Sequence, residues 1–218
     1  MNNIHLVIPF KGLDAAKSRL SPFLSLSERR KLSFAMLLDV IGIAKRSEIF
    51  KEIHIVTPDL SIVNSLKGVN FIFERLPCDL NKAIQLGIDF CTRCNADSVL
   101  VLPADLPFIK PKDILNIVEL GEQDQEVIVI SQSRSGGTNA LFMKPPGILP
   151  PQFGEDSFKK HVSSSKARGI PVKVYSSPTV EIDIDHLNDL LTEGLSLGKN
   201  TKEVINTLKL FFSSQLSK

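Results

Sequence analysis

The feature that most constrains this chain is an alternation between two hydrophobic periods. Short continuous apolar runs at 4–9 (IHLVIP), 53–57 (IHIVT), 71–73, 98–103 (SVLVLP) and 127–130 predict strands. Between them, apolar stripes at helical spacing predict helices over 25–46, 79–94 and 111–120. The first of these opens on Ser25-x-x-Glu28, a capping box, and turns Leu32, Met36, Val40 and Ile43 to one side. The second offers Ala83, Leu86, Ile88 and Phe90 for packing, and the third begins with Pro111. Continuously apolar strands separated by amphipathic helices require an α/β fold, with a mostly parallel sheet covered on both faces. In such folds ligands bind beyond the carboxyl ends of the strands. The residues to inspect therefore follow Pro9, Thr57, Pro103 and Ile130.

The second half is more mixed. Residues 140–143 and 172–175 read as strands flanking a helix at 156–168, and 186–193 reads as a helix. From residue 201, Val204, Leu208, Phe211 and Phe212 share a face that needs the core or a partner chain to cover it. With no repeat, low-complexity tract or linker, the 218 residues are expected to form a single domain, 1–218, with a helical tail over 201–218. Its oligomeric state, a homodimer included, stays open.

Composition removes several function classes. A net charge of +2 and 6% aromatics, with no Trp, argue against a nucleic-acid polymer as partner. The apolar stretch at 35–44 is interrupted by Asp39 and closed by Lys45 and Arg46, so no membrane span is expected. An N-terminus without a basic segment and an odd count of three cysteines suggest a reducing, cytoplasmic location. Cys91 and Cys94 form a C-x-x-C on a helix, read chiefly as two partly buried thiols, with a redox or metal role as the alternative.

At the strand ends the residue types change. The loop after residue 9 carries Lys11, Lys17 and Arg19 but only Gly12, so it is neither a P-loop nor a dinucleotide fingerprint. It suits a polyphosphate, or is a solvated basic loop. Asp105 follows a dry strand inside a Pro-bounded loop, where it can hold a hard cation or cap a helix. Asp183 and Asp185 alternate with Ile182 and Ile184, which would put both carboxylates on one side. The Gly136-Gly137-Thr138 stretch is either an anion-binding turn with free amides or a plain hairpin turn. Gly154 and Ser157 precede a helix, where capping and anion binding both fit. His5 and His54 are expected to be structural, while His161 can face a site and His186 follows the acidic pair. No Ser-His-Asp or Cys-His set emerges.

Together these motifs resemble one family, the 2-phospho-L-lactate guanylyltransferases of coenzyme F420 assembly. The resemblance rests on P-F-K at 9–11, A-K-S-R-L at 16–20, S-x-x-E-R at 25–29, D-L-N-x-A at 79–83 and A-D-L-P at 104–107. It continues through G-G-T-N-A-L at 136–141, F-G-x-x-S-F at 153–158 and D-I-D at 183–185, and ends near residue 194. A-D-L-P alone is common to many nucleotidyltransferases. The resemblance implies a Rossmann-like, glycosyltransferase-A-like three-layer fold. It implies transfer of GMP from GTP to 2-phospho-L-lactate, phosphoenolpyruvate or 3-phospho-D-glycerate, with release of pyrophosphate. It also implies Mg²⁺ on Asp105, Asp183 and Asp185, and the acceptor on Thr138, Gly154 and Ser157. Lys11, Lys17 and Arg19 would contact the GTP phosphates, with Asn81 near the nucleotide, and Lys17, Arg19 and Asp105 would serve catalysis. The competing readings are a nucleotidyltransferase of the molybdenum-cofactor or sugar-phosphate kind, which usually has a Gly-rich first loop, and a non-catalytic nucleotide-binding protein on the same fold.

Overall fold

In a computed structural model the described residues are 3–15, 17–74, 79–186, 188–189, 192 and 194–215, with side chains as far as residue 208. The apolar runs form a seven-stranded sheet of β1 (Ile4–Pro9), β2 (Glu52–Thr57), β3 (Asn70–Phe73), β4 (Ser98–Val101), β5 (Val127–Gln132), β6 (Thr138–Lys144) and β7 (Val172–Val174). Their spatial order is β3-β2-β1-β4-β6-β5-β7. Only β6 runs against its neighbours, so the sheet is mixed and mostly parallel, as the patterning requires. The helices α1 (Leu26–Ser47) and α3 (Pro111–Glu122) cover one face, while α2 (Leu80–Arg93) and α4 (Ser157–Ala167) cover the other. The result is three layers. Odd and even positions of β1 divide between the two cores: Leu6 and Ile8 face α1, and Val7 faces α2.

The capping box at Ser25 and Glu28 is formed in both directions, which sets the start of α1. Its expected stripe, Leu32, Met36, Val40 and Ile43, is buried. The tail forms α5 (Lys199–Gln215), and Ile205 and Leu208 pack with Leu32 and Met36 of α1. As far as residue 208, the tail is thus covered by this chain's own first helix. Asp39, a charge inside an apolar stretch, explains the attachment. Its carboxylate accepts from the backbone N–H groups of Asn200 at 3.0 Å and Thr201 at 2.8 Å, capping α5 from a neighbouring helix.

Residues 182–184 join no strand ladder among the described residues. Of the helix expected at 186–193, Leu187, Leu190, Leu191 and Glu193 lie outside the described residues, as do the side chains of Phe211 and Phe212. No described helix is long and apolar enough to cross a membrane.

Candidate active site

The carboxyl ends of β1 and β4 and the β5–β6 turn open on a cleft of about 710 Å³. It is lined by Lys11, Lys17, Arg19, Asp105, Thr138, Gly154, Ser157, Asp183 and Asp185, so every expected site residue except Asn81 is brought together.

The first loop is held from β2. Asp59, just past Thr57, accepts from the Leu13 N–H at 2.9 Å and from Ser61 N–H at 2.9 Å. Gly12 sits against it with φ +89°, and a Cβ there would lie 3.0 Å from the Asp59 Cβ. Lys17 then adopts a left-handed backbone (φ 51°), uncommon for a side chain of this size. That turn buries its stem and leaves its ammonium among carboxylates. Lys17 Nζ is paired with Asp105 and lies 3.5 Å from Asp185 Oδ1; Arg19 pairs with the other Asp185 oxygen. Burial alone would lower the Lys17 pKa, but Asp105, then Asp185 and Asp183, outweigh it and hold the ammonium above its ordinary value. Lys11 is exposed at the rim.

The acids come from two segments tied by the Ile184 N–H donating to the Asp105 carbonyl at 3.2 Å. Ile182 and Ile184 sink into the cluster with Leu20, Met36 and Phe108, so Asp183 and Asp185 face the cleft, as alternation requires. One carboxylate oxygen from each of Asp105, Asp183 and Asp185 lies within 4.8 Å of the others. Asp183 has its pKa raised, first by burial, then by the charges of Asp105 and Asp185. Asn139, which the sequence did not single out, donates to Asp183 Oδ1 at 3.3 Å and to the Val180 carbonyl at 2.8 Å. Three oxygen donors that repel one another, facing a cleft, fit a hard divalent cation better than they fit an empty space.

The Gly136–Gly137 segment is a hairpin turn that also borders the cleft. The expectation of free amides there is corrected. Gly136 N–H donates to the Ser133 carbonyl at 3.0 Å, and Gly137 N–H to Ser133 Oγ at 2.9 Å. Both donors are used inside the turn, so Thr138 is the group of this stretch left to meet a ligand. Its Oγ1 accepts from Ser157 Oγ at 3.0 Å and lies 3.0 Å from His161 Nδ1. Gly154 has φ +124° with open space beside it. Ser157, wholly buried, opens α4 after an Asp156 that makes no side-chain cap.

Asn81, expected near the nucleotide, is engaged with the segment that borders the cleft. Its amide clamps the Phe153 backbone, accepting from the N–H at 2.6 Å and donating to the carbonyl at 3.0 Å. It therefore holds the segment before Gly154 rather than lining the cleft. His186 is exposed. The signal for His161, four residues after Ser157, was in the sequence, but its partner Thr138 was not predictable from spacing.

Away from the cleft, His5 and His54 lie buried beneath α2. His54 Nε2 and His5 Nδ1 are 3.0 Å apart, and His5 Nε2 meets Asn3 Oδ1 at 3.0 Å. Cys91 is buried and Cys94 exposed, both free thiols; Cys78 lies outside the described residues.

The fold and a cleft of this kind define a nucleotidyltransferase architecture. A Desulfovibrio desulfuricans crystal structure described as a nucleotide-diphospho-sugar transferase superposes with TM-score 0.76 at 13% identity, over 98% of both chains. A Mycobacterium tuberculosis protein solved in complex with manganese superposes at 0.55 with 17% identity, covering 87% of this chain and 96% of that one. The family model described as guanylyl transferase CofC like matches residues 4–217, and the chain belongs to that family. Among its relatives, the phosphoenolpyruvate guanylyltransferase of Thermobaculum terrenum is 33% identical, over 87% of this chain and 82% of that protein. The 2-phospho-L-lactate guanylyltransferase of Methanothermobacter thermautotrophicus is 34% identical, over 84% of this chain and 81% of that protein.

Proposed function

We propose that this chain transfers GMP from GTP to a phosphorylated three-carbon acid of the phosphoenolpyruvate, 2-phospho-L-lactate or 3-phospho-D-glycerate type, in coenzyme F420 biosynthesis. The observation that carries the reading is the convergence of Lys17 and Arg19 with Asp105, Asp183 and Asp185 in one cleft. A cluster of mutually repelling carboxylates beside a buried ammonium disfavours a non-catalytic binding protein. A first loop with Gly12 alone disfavours the molybdenum-cofactor and sugar-phosphate types.

An acceptor phosphate oxygen attacks the α-phosphorus of GTP. A new P–O bond forms, the bond from the α-phosphorus to the bridging oxygen of the β-phosphate breaks, and pyrophosphate leaves with that electron pair. A phosphate monoester has a second pKa of about 6, so the nucleophile is already an anion at neutral pH. No general base is required. The protein's task is to hold two anions in line and neutralise the leaving group. Asp105, Asp183 and Asp185 would hold Mg²⁺, which when bound supplies positive charge to the phosphates. Lys17 and Arg19 would turn from the carboxylates to the phosphates of GTP, with Lys11 at the rim. Thr138, Gly154 and Ser157 would bind the acceptor.

The test is direct. GTP and Mg²⁺ are incubated with the protein and each of the three acids, and pyrophosphate is measured. Release with one acid identifies the acceptor; no release with any overturns the reading.

A further inference from the structure

We infer that His161 is a positioning residue that fixes the Thr138–Ser157 hydroxyl pair as a single outward hydrogen-bond donor, so that this corner of the cleft selects a ligand presenting an anionic oxygen. The ligand's identity rests on the function proposed above; the donor chain does not.

The argument begins at an unambiguous donor. The Gln152 backbone N–H points at His161 Nε2 from 2.9 Å, so Nε2 must be the bare nitrogen. The ring is wholly buried, and burial lowers its pKa to about 4, so it is neutral at physiological pH. A neutral imidazole with a bare Nε2 carries its proton on Nδ1. Nδ1 lies 3.0 Å from Thr138 Oγ1 and therefore donates to it, with the Ser157 backbone carbonyl, on the preceding helical turn, also drawn to the ring N–H.

Ser157 Oγ also donates to that oxygen, at 3.0 Å. A hydroxyl oxygen has two lone pairs, and both are now taken. The Thr138 proton must point in a third direction, and no hydrogen bond takes it among the described residues. Thr138 and Ser157 both line the cleft, so the missing acceptor belongs there. Phe153 packs edge-on to His161 with centroids 5.2 Å apart. Asn81 holds Phe153 in turn, which gives its backbone clamp a purpose. A corner that can only donate accepts a carboxylate or phosphate oxygen and rejects an ammonium.

Two measurements test this, and they fail separately. First, ¹⁵N NMR of the wild-type ring at pH 7 should show a protonated Nδ1 and a bare Nε2. An Nε2–H tautomer or a cationic ring overturns the donor chain, whether or not any acid is turned over. Second, His161→Phe should raise the acceptor KM about tenfold, the size of one lost hydrogen bond to a charged group, with the GTP KM changed less than twofold. His161→Asn, whose amide can donate from near the Nδ1 position, should restore most of the acceptor KM although both variants melt lower. Lower melting in both with no selective change in acceptor KM, or the same acceptor KM in both, means a packing role and overturns the inference. Inhibition by pyruvate or by inorganic phosphate, whichever His161→Phe weakens, identifies the oxygen; weakening of neither counts against it. If the wild type releases no pyrophosphate with any acid, the proposed function fails while the ring spectrum still reads the donor chain.

Discussion

Two groups of metal-ligating side chains sit on this sheet, and they have opposite characters. Asp105, Asp183 and Asp185 cluster at the carboxyl ends of the strands, partly exposed around the Lys17 ammonium. His5, His54 and Cys91 cluster just as closely beneath α2, wholly buried. Burial, then the neighbouring His5, lowers the His54 pKa to about 4, and burial pushes the Cys91 thiol up to about 12. At neutral pH this second group is two uncharged rings and a protonated thiol. Its hydrogen bonds run in one direction: Asn3 Nδ2 donates to the Asn95 carbonyl, His5 to Asn3 Oδ1, and His54 to His5, leaving His54 Nδ1 without a partner. A cation entering there would have to displace the thiol proton and cross a packed core. The carboxylates face a cleft and repel until a cation arrives. Proximity is the same in both places; ligand type, charge and access separate them.

The largest effect should come from the charged group. Asp105→Asn or Asp183→Asn should lower Mg²⁺-dependent pyrophosphate release by about a thousandfold while circular dichroism and melting temperature hold. Turnover like the wild type in either variant would break the comparison, because the carboxylates would then be as inert as the histidines. Thr138→Ala should raise the acceptor KM by about tenfold and the GTP KM much less; equal rises in both would remove Thr138 from the acceptor side. Cys91→Ala, in the neutral group, should cost about 1–2 kcal/mol of stability and leave kcat/KM within twofold. A large loss of activity there would give the buried group a functional role.

The last prediction concerns stability rather than turnover and is a pH dependence. His54 and His161 are held neutral with pKa lowered to about 4, against about 6.5 for an imidazole in water. Between those values the unfolded chain binds protons that the folded chain refuses, so stability rises with pH. The contribution is complete above pH 6.5 and is lost as pH falls towards 4, on the order of 3 kcal/mol for each ring. Melting temperature should therefore drop between pH 7 and pH 5, and a flat profile would show that these rings accept a proton in the fold.

Much of the site was legible because alternation and position carry it. Asp183 and Asp185 face the cleft because Ile182 and Ile184 have a core to enter. Lys17, Arg19 and Asp105 follow strands whose carboxyl ends must share one edge of a parallel sheet. Other roles were not legible. Two glycines at 136–137 fit an anion-binding turn and a plain turn equally, and Ser133, by accepting from both amides, decides between them. Asn81 is 72 residues from the Phe153 backbone it clamps, and Asp39 is 161 residues from the first helical turn it caps. Asp59, which shapes the first loop, is 46 residues from Leu13. The last three are side-chain-to-backbone bonds across the fold, and no local pattern encodes them.

What the sequence determined by itself was the repeat of strand and helix, the helix starts, and hence the edge of the sheet where charge must collect. Those follow from periods and caps that act within about four residues. Only the tertiary structure decided which carboxylate meets Lys17, which amides are already spent, and which hydroxyl keeps a proton for the ligand. Hydrogen bonds and close ion pairs act over a few ångströms, so they are settled only when distant loops have been brought to the same place.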